Sequence, residues 1–253
     1  MNMTIKKAWE YYGKLFGRTI IHPQFIMRQY AYGGIRFAKK YASGDLVDIG
    51  CGIMPYREEL LPIVASYTGV DHPKVSKLYK GTRKPDVLAD VKDLPFKNGT
   101  FDTVLFLQVL EYVDEPQKAF SEITRILRKN GTLILSVPFL YPIHDAPYDQ
   151  ARYTSYFLKN VLKDHSMRIM VFKPDGGIVA LVFQSVTLFI LRLLKENVGE
   201  RNILIIFLLI PALLLLPLWI LFGNLLVAVL SFLPSSITSE YFALNYTVVA
   251  KKI

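Results

Sequence analysis

The chain has 253 residues, a formal net charge of +9, one cysteine and an apolar share of 52%, with a mean hydropathy of +0.29. The single cysteine, Cys51, excludes an internal disulfide framework and a cysteine-rich zinc site, so a reducing, cytosolic setting is expected. The length suits one α/β domain with an insertion, or a domain plus a membrane element; most of the apolar excess falls in residues 178–233.

Residues 1–43 read as a basic, aromatic helical arm. Its first 40 residues carry Lys6, Lys7, Lys14, Arg18, Arg28, Arg36, Lys39 and Lys40 against Glu10, a balance of +7. Trp9, Tyr11, Tyr12, Phe16, Phe25, Tyr30, Tyr32 and Phe37 are interleaved with them. Cations among aromatic rings suit an anionic membrane surface. The same mixture serves nucleic acid or an ordinary basic helix covering a domain. The first 25 residues hold no continuous apolar run, so no signal peptide is expected and the catalytic part should stay in the cytosol.

Residues 44–173 read as an α/β core. Asp45–Gly52, "DLVDIGCG", is a short apolar strand ending in a glycine turn. Ala65–Asp71 is a second strand ending in an acid, Asp86–Asp90 a third, and Phe101–Leu107 a fourth, apolar nearly throughout as in a sheet covered on both faces. Residues 113–129 place Ala119, Phe120, Ile123, Ile126 and Leu127 on one helical face, with Pro116 in the first turn and Asn130-Gly131 as the stop. Thr132–Phe139 is a fifth strand. Strands alternating with helices at this spacing predict a parallel sheet wound on both faces.

In such a sheet a ligand sits beyond the carboxyl ends of the strands, where the first strand turns into the first helix. Gly50 and Gly52 fall there, and without a Cβ they let backbone approach a ligand. Pro55 stands where a dinucleotide fingerprint needs its third glycine, which argues against a pyrophosphate cradle. Asp71, about twenty residues on, is placed to accept both hydroxyls of a ribose, and Asp90 to accept from an exocyclic amine. Each acid alone could be a solvated strand end; both in register with the glycine turn make a nucleoside site.

The segments "VDIGCGIMPYR", "GVD", "LADVKDLPFKNGTFDTVLFLQVLEYVDEPQKAFSEITRILRKNGTLILSVPF" and "YPIHDAPYDQARYT" resemble the class I S-adenosylmethionine-dependent methyltransferases, and most the bacterial type-11 group with its GCG-x-x-PYR turn. The resemblance covers residues 44–165 and resumes in the last strand. It implies S-adenosylmethionine as cofactor and a Rossmann-like sheet of order 3-2-1-4-5-7-6, the seventh strand antiparallel. By it, Asp48, Gly50 and Gly52 would hold the methionine part, Asp71 the ribose, and Asp90 and Val91 the adenine. Leu107 and Gln108 would wall the sulfonium side. Tyr112 stands where the family often has histidine, and Asn130-Gly131 replaces a Pro-Gly-Gly turn.

Methyl transfer is largely a positioning task, and an oxygen nucleophile of high pKa needs a base as well. Phe139–Thr154 follows the fifth strand and holds His144, Asp145, Asp149 and Arg152. One reading makes His144 the general base and Arg152 a contact for an anionic or sugar acceptor. The other pairs Asp149 with Arg152 to hold the loop. His22, His72, His144 and His165 show no metal-ligand spacing, so no metal is expected.

Ser166–Pro174 fits a sixth strand and Leu244–Lys252 a seventh, with residues 174–243 inserted between them and 244–253 closing the core. Asn202–Ser236 has no charged side chain, and Ile178–Leu194 is mostly apolar. Two strands of one cytosolic sheet require the insertion to return to the side it left. Either it crosses the bilayer twice, Ile203–Phe222 being long enough for roughly 30 Å of hydrocarbon, or it dips as a hairpin bent at Pro211, Pro217 or Gly223-Asn224. Apolar helices packed on the domain or on a second copy are the third option.

The expectation is an S-adenosylmethionine-dependent methyltransferase on the cytosolic face of a bacterial membrane, acting on oxygen of a membrane-resident or lipid-linked small molecule or glycan. A non-catalytic membrane scaffold is disfavoured by the intact Gly50, Gly52, Asp71 and Asp90. A nucleic-acid methyltransferase is disfavoured because "LQVLEY" follows the fourth strand instead of an Asn/Asp-Pro-Pro-Tyr/Phe motif.

Overall fold

The computed structural model describes residues 19–76, 84–200, 203–230 and 240–253; residues 1–18 of the basic arm lie outside them. The chain divides into two compact units. One comprises residues 31–139, 143–174 and 245–253; the other comprises residues up to 30 with 140–142 and 175–244.

In chain order the elements are α1 (Phe25–Ala31), α2 (Gly33–Tyr41), β1 (Asp45–Ile49), α3 (Arg57–Leu60), β2 (Ser66–Asp71), α4 (Pro73–Ser76), β3 (Val87–Leu88) and β4 (Phe101–Leu107). Then come α5 (Pro116–Ile126), β5 (Leu127–Pro138), α6 (Ser155–Asp164), β6 (Met167–Gly176), α7 (Ile178–Glu200), α8 (Ile203–Leu230) and β7 (Ala243–Lys252). The seven strands form one sheet in the order β3-β2-β1-β4-β5-β7-β6. β1 runs parallel to β2 and β4, β4 parallel to β5, and β7 antiparallel to β5. This is the expected order.

The core lies where the central strands meet the flanking helices. Leu46, Leu105 and Ile134, one residue from each of three adjacent strands, pack with Ala38, Met54, Leu60 and Tyr67. α5 adds to the core through Ala119, Phe120, Ile123 and Ile126, all fully buried, the face its 3.6-residue period predicts.

Several boundaries differ from the sequence reading. The helix expected to run to residue 129 stops at Ile126, and Leu127 turns extended. Leu127 pairs with Phe101 and is fully buried, while Arg128 reaches Asp45 and Asp102, so strand pairing and ion pairs outcompete two more helical residues. Asn130, at φ 63°, then forms an irregularity within β5 instead of a helix stop. The last helical carbonyls are met by Lys252 Nζ, which donates to Thr124 and Leu127 oxygens at 2.7 and 2.8 Å. β3 shrinks to Val87 and Leu88; Asp86 before it binds Arg57 and the Gly69 amide through its side chain. β6 extends two residues further, to Gly176.

In the second unit α8 runs unbroken through Pro211, Pro217 and Gly223. At about 1.5 Å per residue its 28 residues span roughly 42 Å. Gly223 serves packing, not a turn: a Cβ there would lie 2.2 Å from Phe183 Cδ1. Trp219 stacks on Phe183 at 4.4 Å and donates to Thr187 across the two helices. Asn224 Nδ2 donates to the Ile20 and His22 carbonyls, and Gln184 Nε2 to that of Pro23. The segment before α1 is therefore held by amides of the apolar helices, beside a small core of Ile26, Met27, Ala180, Val227 and Leu244. Burial also drives the His22 imidazole down to about 4, so it stays neutral.

Ile134 is fully buried at the centre of the sheet. Ile134→Ala should cost about 2–5 kcal/mol, measured as a lower denaturant midpoint with an unchanged slope.

Candidate functional site

At the carboxyl end of β1 the chain reverses through Gly50 (φ 75°) and Gly52 (φ 54°). A Cβ on Gly50 would stand 2.3 Å from Val109 Cγ2, so side chain and conformation both demand glycine. Asp48, Gly50, Cys51, Gly52, Ile53, Pro55, Tyr56, Leu107 and Gln108 line one cleft of about 260 Å³. Five of the expected site residues thus converge there, from β1, its turn and the end of β4.

Asp48 is 3% exposed, accepts a hydrogen bond from the Tyr67 hydroxyl, and is pushed up to about 7, chiefly by burial. Asp71 touches the same turn: its Oδ2 accepts from the Gly52 amide at 2.9 Å and its Oδ1 from the His72 amide at 2.7 Å. Burial raises its pKa too, against those two amide bonds. Asp90 lies past the end of β3, in a bridge with Asp93, with His72 and Lys92 nitrogens each 3.8 Å away. Val91 beside it is buried.

His144 and Arg152 do not line this cleft; they meet in a second cluster. The Arg152 guanidinium forks onto both oxygens of Asp149, at 2.5 and 2.7 Å. Asp149, with a side chain 1% exposed, also accepts from the His144 amide at 2.9 Å and lies 3.1 Å from His144 Nδ1. Its carboxyl is held below the usual range, first by the bond to Arg152. The His144 ring packs edge-on against Tyr112, whose hydroxyl donates to Asp145. This is the Asp149–Arg152 pairing that the sequence allowed, with His144 attached to it.

The sequence reading passed over Glu111. It sits in the 3-10 turn Leu110–Tyr112, three residues past Gln108, and is fully buried. Its carbonyl accepts the Gln150 and Ala151 amides, which ties the His144 loop to the end of β4. Neither carboxyl oxygen meets a donor among the described residues. Burial pushes the acid up to about 8, opposed by nearby Arg152 and reinforced by Asp149 and Asp145. The only sequence signal was an acid inside the apolar run Val104–Val113, indistinguishable from an exposed turn residue.

Residues 47–135 match the family model described as a methyltransferase domain. An uncharacterized protein of Methanocaldococcus jannaschii is 32% identical over 135 residues, covering 52% of this chain and 47% of its own length. A "Probable S-adenosylmethionine-dependent methyltransferase" of Mycobacterium tuberculosis is 29% identical over 107 residues, 41% of this chain and 39% of its own. The chain therefore spans less than half the length of either relative. Among solved structures, the [4+2]-cyclase SpnF superposes with a TM-score of 0.52 at 15% identity, covering 88% of this chain and 80% of that one. That likeness shows the fold alone.

The cleft suits S-adenosylmethionine on its own chemistry. A glycine turn leaves room for backbone approach, Asp48 opens into it, and no basic side chain among the described residues lines it, so a cationic ligand is favoured. A cationic group must draw Asp48 into its charged form. S-adenosylmethionine affinity should therefore rise roughly tenfold from about pH 6 to about pH 8 as Asp48 sheds its proton. Calorimetry in buffers of different ionisation enthalpy should register that proton, and Asp48→Asn should bind weakly with a flattened pH dependence.

Glu111 makes a different prediction. A carboxyl near 4.5 in the open chain and about 8 when folded binds its proton more tightly in the folded state. Its contribution is complete below the lower value and is lost as pH rises through the higher one. Glu111→Gln should gain stability relative to the parent chain between about pH 6 and about pH 9 in denaturant titrations.

Proposed function

We propose that this chain, which carries a class I S-adenosylmethionine-dependent methyltransferase domain, methylates oxygen on a membrane-resident or lipid-linked acceptor at the cytosolic face of a bacterial membrane. Bound S-adenosylmethionine supplies an electrophilic methyl group on a sulfonium that leaves as a neutral thioether. The tasks left to the protein are to hold the cofactor, align the acceptor and take its proton.

Asp48 and the Gly50–Gly52 turn would hold the methionine part, Asp71 the ribose, and Asp90 with Val91 the adenine. For the proton, the support is the His144 cluster. A buried, ionised Asp149 facing Nδ1 at 3.1 Å favours the tautomer protonated there. Nε2 is then the unprotonated nitrogen of a ring whose side chain is 29% exposed. Because Arg152 is engaged by Asp149 and the Ala151 carbonyl, its fork supports a positioning role for Asp149 over a direct contact to the acceptor.

The observation that carries the acceptor class is the apolar pair α7 and α8. Phe207, Leu214, Leu215, Leu218, Leu221, Phe222 and Leu225 are all exposed along α8. Ile210–Leu230 is long and apolar enough to cross a membrane, while Ile178–Leu194 is shorter. Ordinary surface helices carry a polar face; α8 has none to turn to water. The basic arm supplies the cations that anionic headgroups attract.

The test is transfer of labelled methyl groups by the full chain into lipid, glycan and nucleic-acid fractions of a bacterial extract. Label should enter the lipid or lipid-linked glycan fraction, and His144→Ala should reduce it about 100-fold or more at neutral pH. Label in nucleic acid alone, or full turnover by His144→Ala, would sink the corresponding part of the reading. Retention on vesicles through salt and alkaline washes should accompany the lipid result.

A further inference from the structure

The two apolar helices are built inside out. Every exposed side chain described between Ile178 and Leu191 of α7, and along α8, is apolar. Their polar residues turn inward instead: Gln184, Thr187, Asn197 and Asn224 are all buried. Each is hydrogen-bonded inside its own unit. Thr187 Oγ1 donates to the Phe183 carbonyl at 2.7 Å and accepts from Trp219 Nε1 at 3.1 Å. Asn197 Nδ2 donates to the Leu193 carbonyl at 2.8 Å, Asn224 Nδ2 to that of Ile20 and Gln184 Nε2 to that of Pro23. A helix pair bathed in water shows the opposite arrangement, whereas in hydrocarbon polar side chains bond to neighbouring backbone and helices.

The pair runs antiparallel in a fixed register. Phe183 packs on Gly223, and Thr187, four residues on, meets Trp219, four residues back. Carried along in equal steps, that register sets Ile178 level with Ala228 and Glu196 level with Ile210. At about 1.5 Å per residue the rise from Ile178 to Glu196 is roughly 27 Å, close to the roughly 30 Å of a bilayer's hydrocarbon. The span of α8 that is long and apolar enough to cross, Ile210–Leu230, covers the same levels. Charge gathers at one end only. Arg192 is bonded to Glu196, one turn nearer the tip, at 2.8 Å. Lys195, Glu200 and Arg201 follow where α7 gives way to α8. A hairpin dipped end-on into one leaflet would carry these charges to the bilayer centre, where each is costly. A hairpin laid flat would leave leucine and phenylalanine facing water, because neither helix has an exposed polar flank among its described residues between the levels of Ile178 and Leu191. A full crossing keeps the apolar walls in hydrocarbon and returns the charged tip to water.

β6 ends at Gly176, just before α7, and α8 leads on to β7; both strands belong to one sheet, so the chain must return to the side it left. We propose that α7 and α8 form a two-pass transmembrane hairpin, with the charged tip from Glu196 to Arg201 displayed on the membrane face opposite the methyltransferase domain. This topology rests on the reading of the apolar pair as a membrane element. It gives a cytosolic enzyme a short polar segment on the outer face of the same membrane.

The deciding experiment treats bacterial spheroplasts that express the full chain with a membrane-impermeant maleimide, before and after lysis. Cys51 is the only cysteine and is buried, so the parent chain should stay unlabelled in both conditions. Glu196→Cys and Gly199→Cys, two separate tip positions, should be labelled before lysis. Lys173→Cys, at an exposed position of β6, should be labelled only after it. Tip variants that stay in the membrane through an alkaline wash yet label only after lysis, or not at all, would overturn the crossing and lay the hairpin on the inner face. Labelling of Lys173→Cys before lysis would overturn the orientation. Recovery of the parent chain in the soluble fraction would instead overturn the membrane reading beneath both.

Discussion

At Gly50 the backbone folds back in a left-handed turn directly against Val109, with no room between them for even one methyl group. That contact joins the end of β1 to the end of β4, the two adjacent strands whose tips carry the cleft. Because the strands are parallel and in register from Leu46–Thr103 to Ile49–Phe106, their chain reversals fall on the same edge. Asp48 therefore faces the ligand space from one strand and Gln108 from the other. A larger residue at position 50 would separate the two tips and disperse the groups that the rest of the sheet aligns. The sheet supplies direction; the missing side chain supplies proximity.

Charge then acts on that geometry in two distinct ways. In the cleft, whose described lining holds no basic side chain, Asp48 is driven toward neutrality by burial, as is Asp71 behind the Gly52 amide. Burial raises both carboxyls, so each takes up a proton more readily than a free carboxylate, and a bound cation would favour their charged forms. In the loop cluster the balance is reversed. Arg152 holds Asp149 ionised through two short bonds, and the imidazole of His144 is oriented against that carboxylate. One region gathers acceptors around a glycine turn and the other orients an imidazole against a carboxylate, a division that the proposed methyl transfer would use.

How far this was legible in the sequence depends on how local each interaction is. β1, β2 and β4 could be read because strands buried on both faces are apolar almost without interruption, and because glycines and an aspartate mark their ends. Asp48, Gly50, Gly52, Leu107 and Gln108 follow from those ends and do meet in one cleft. The termination of α5 was misplaced because the residues after Ile126 have good helical character. Only the distant partners Phe101, Asp45 and Asp102 draw them into the sheet. Glu111 was invisible for the same reason: nothing adjacent in the chain says that the Gln150–Ala151 backbone will fold over it. Asn245 is the extreme case, lying 137 residues from the glutamine it bonds. In the sequence it is a polar residue at a strand start; only the sheet order brings it beside Gln108.

The same sheet order explains why an apolar insertion is tolerated at residue 177 and hardly anywhere else in the core. β7 slots between β5 and β6 and runs antiparallel to β5, so the connection from β6 to β7 is a hairpin at an edge of the sheet, not a crossover beneath it. A hairpin can lengthen at little entropic cost, because closure grows only with the logarithm of loop length. The inserted helices carry their own order with them: Trp219 with Thr187 joins the pair, and Asn224 and Gln184 satisfy carbonyls of a segment some two hundred residues earlier. Those amides are the polar groups an apolar helix can least carry unpaired into hydrocarbon, and here their hydrogens are spent on irregular backbone that would otherwise need water. The inserted helices and the segment before α1 thus bond within their own unit, while the core needs from them only that residue 243 begin β7 in register.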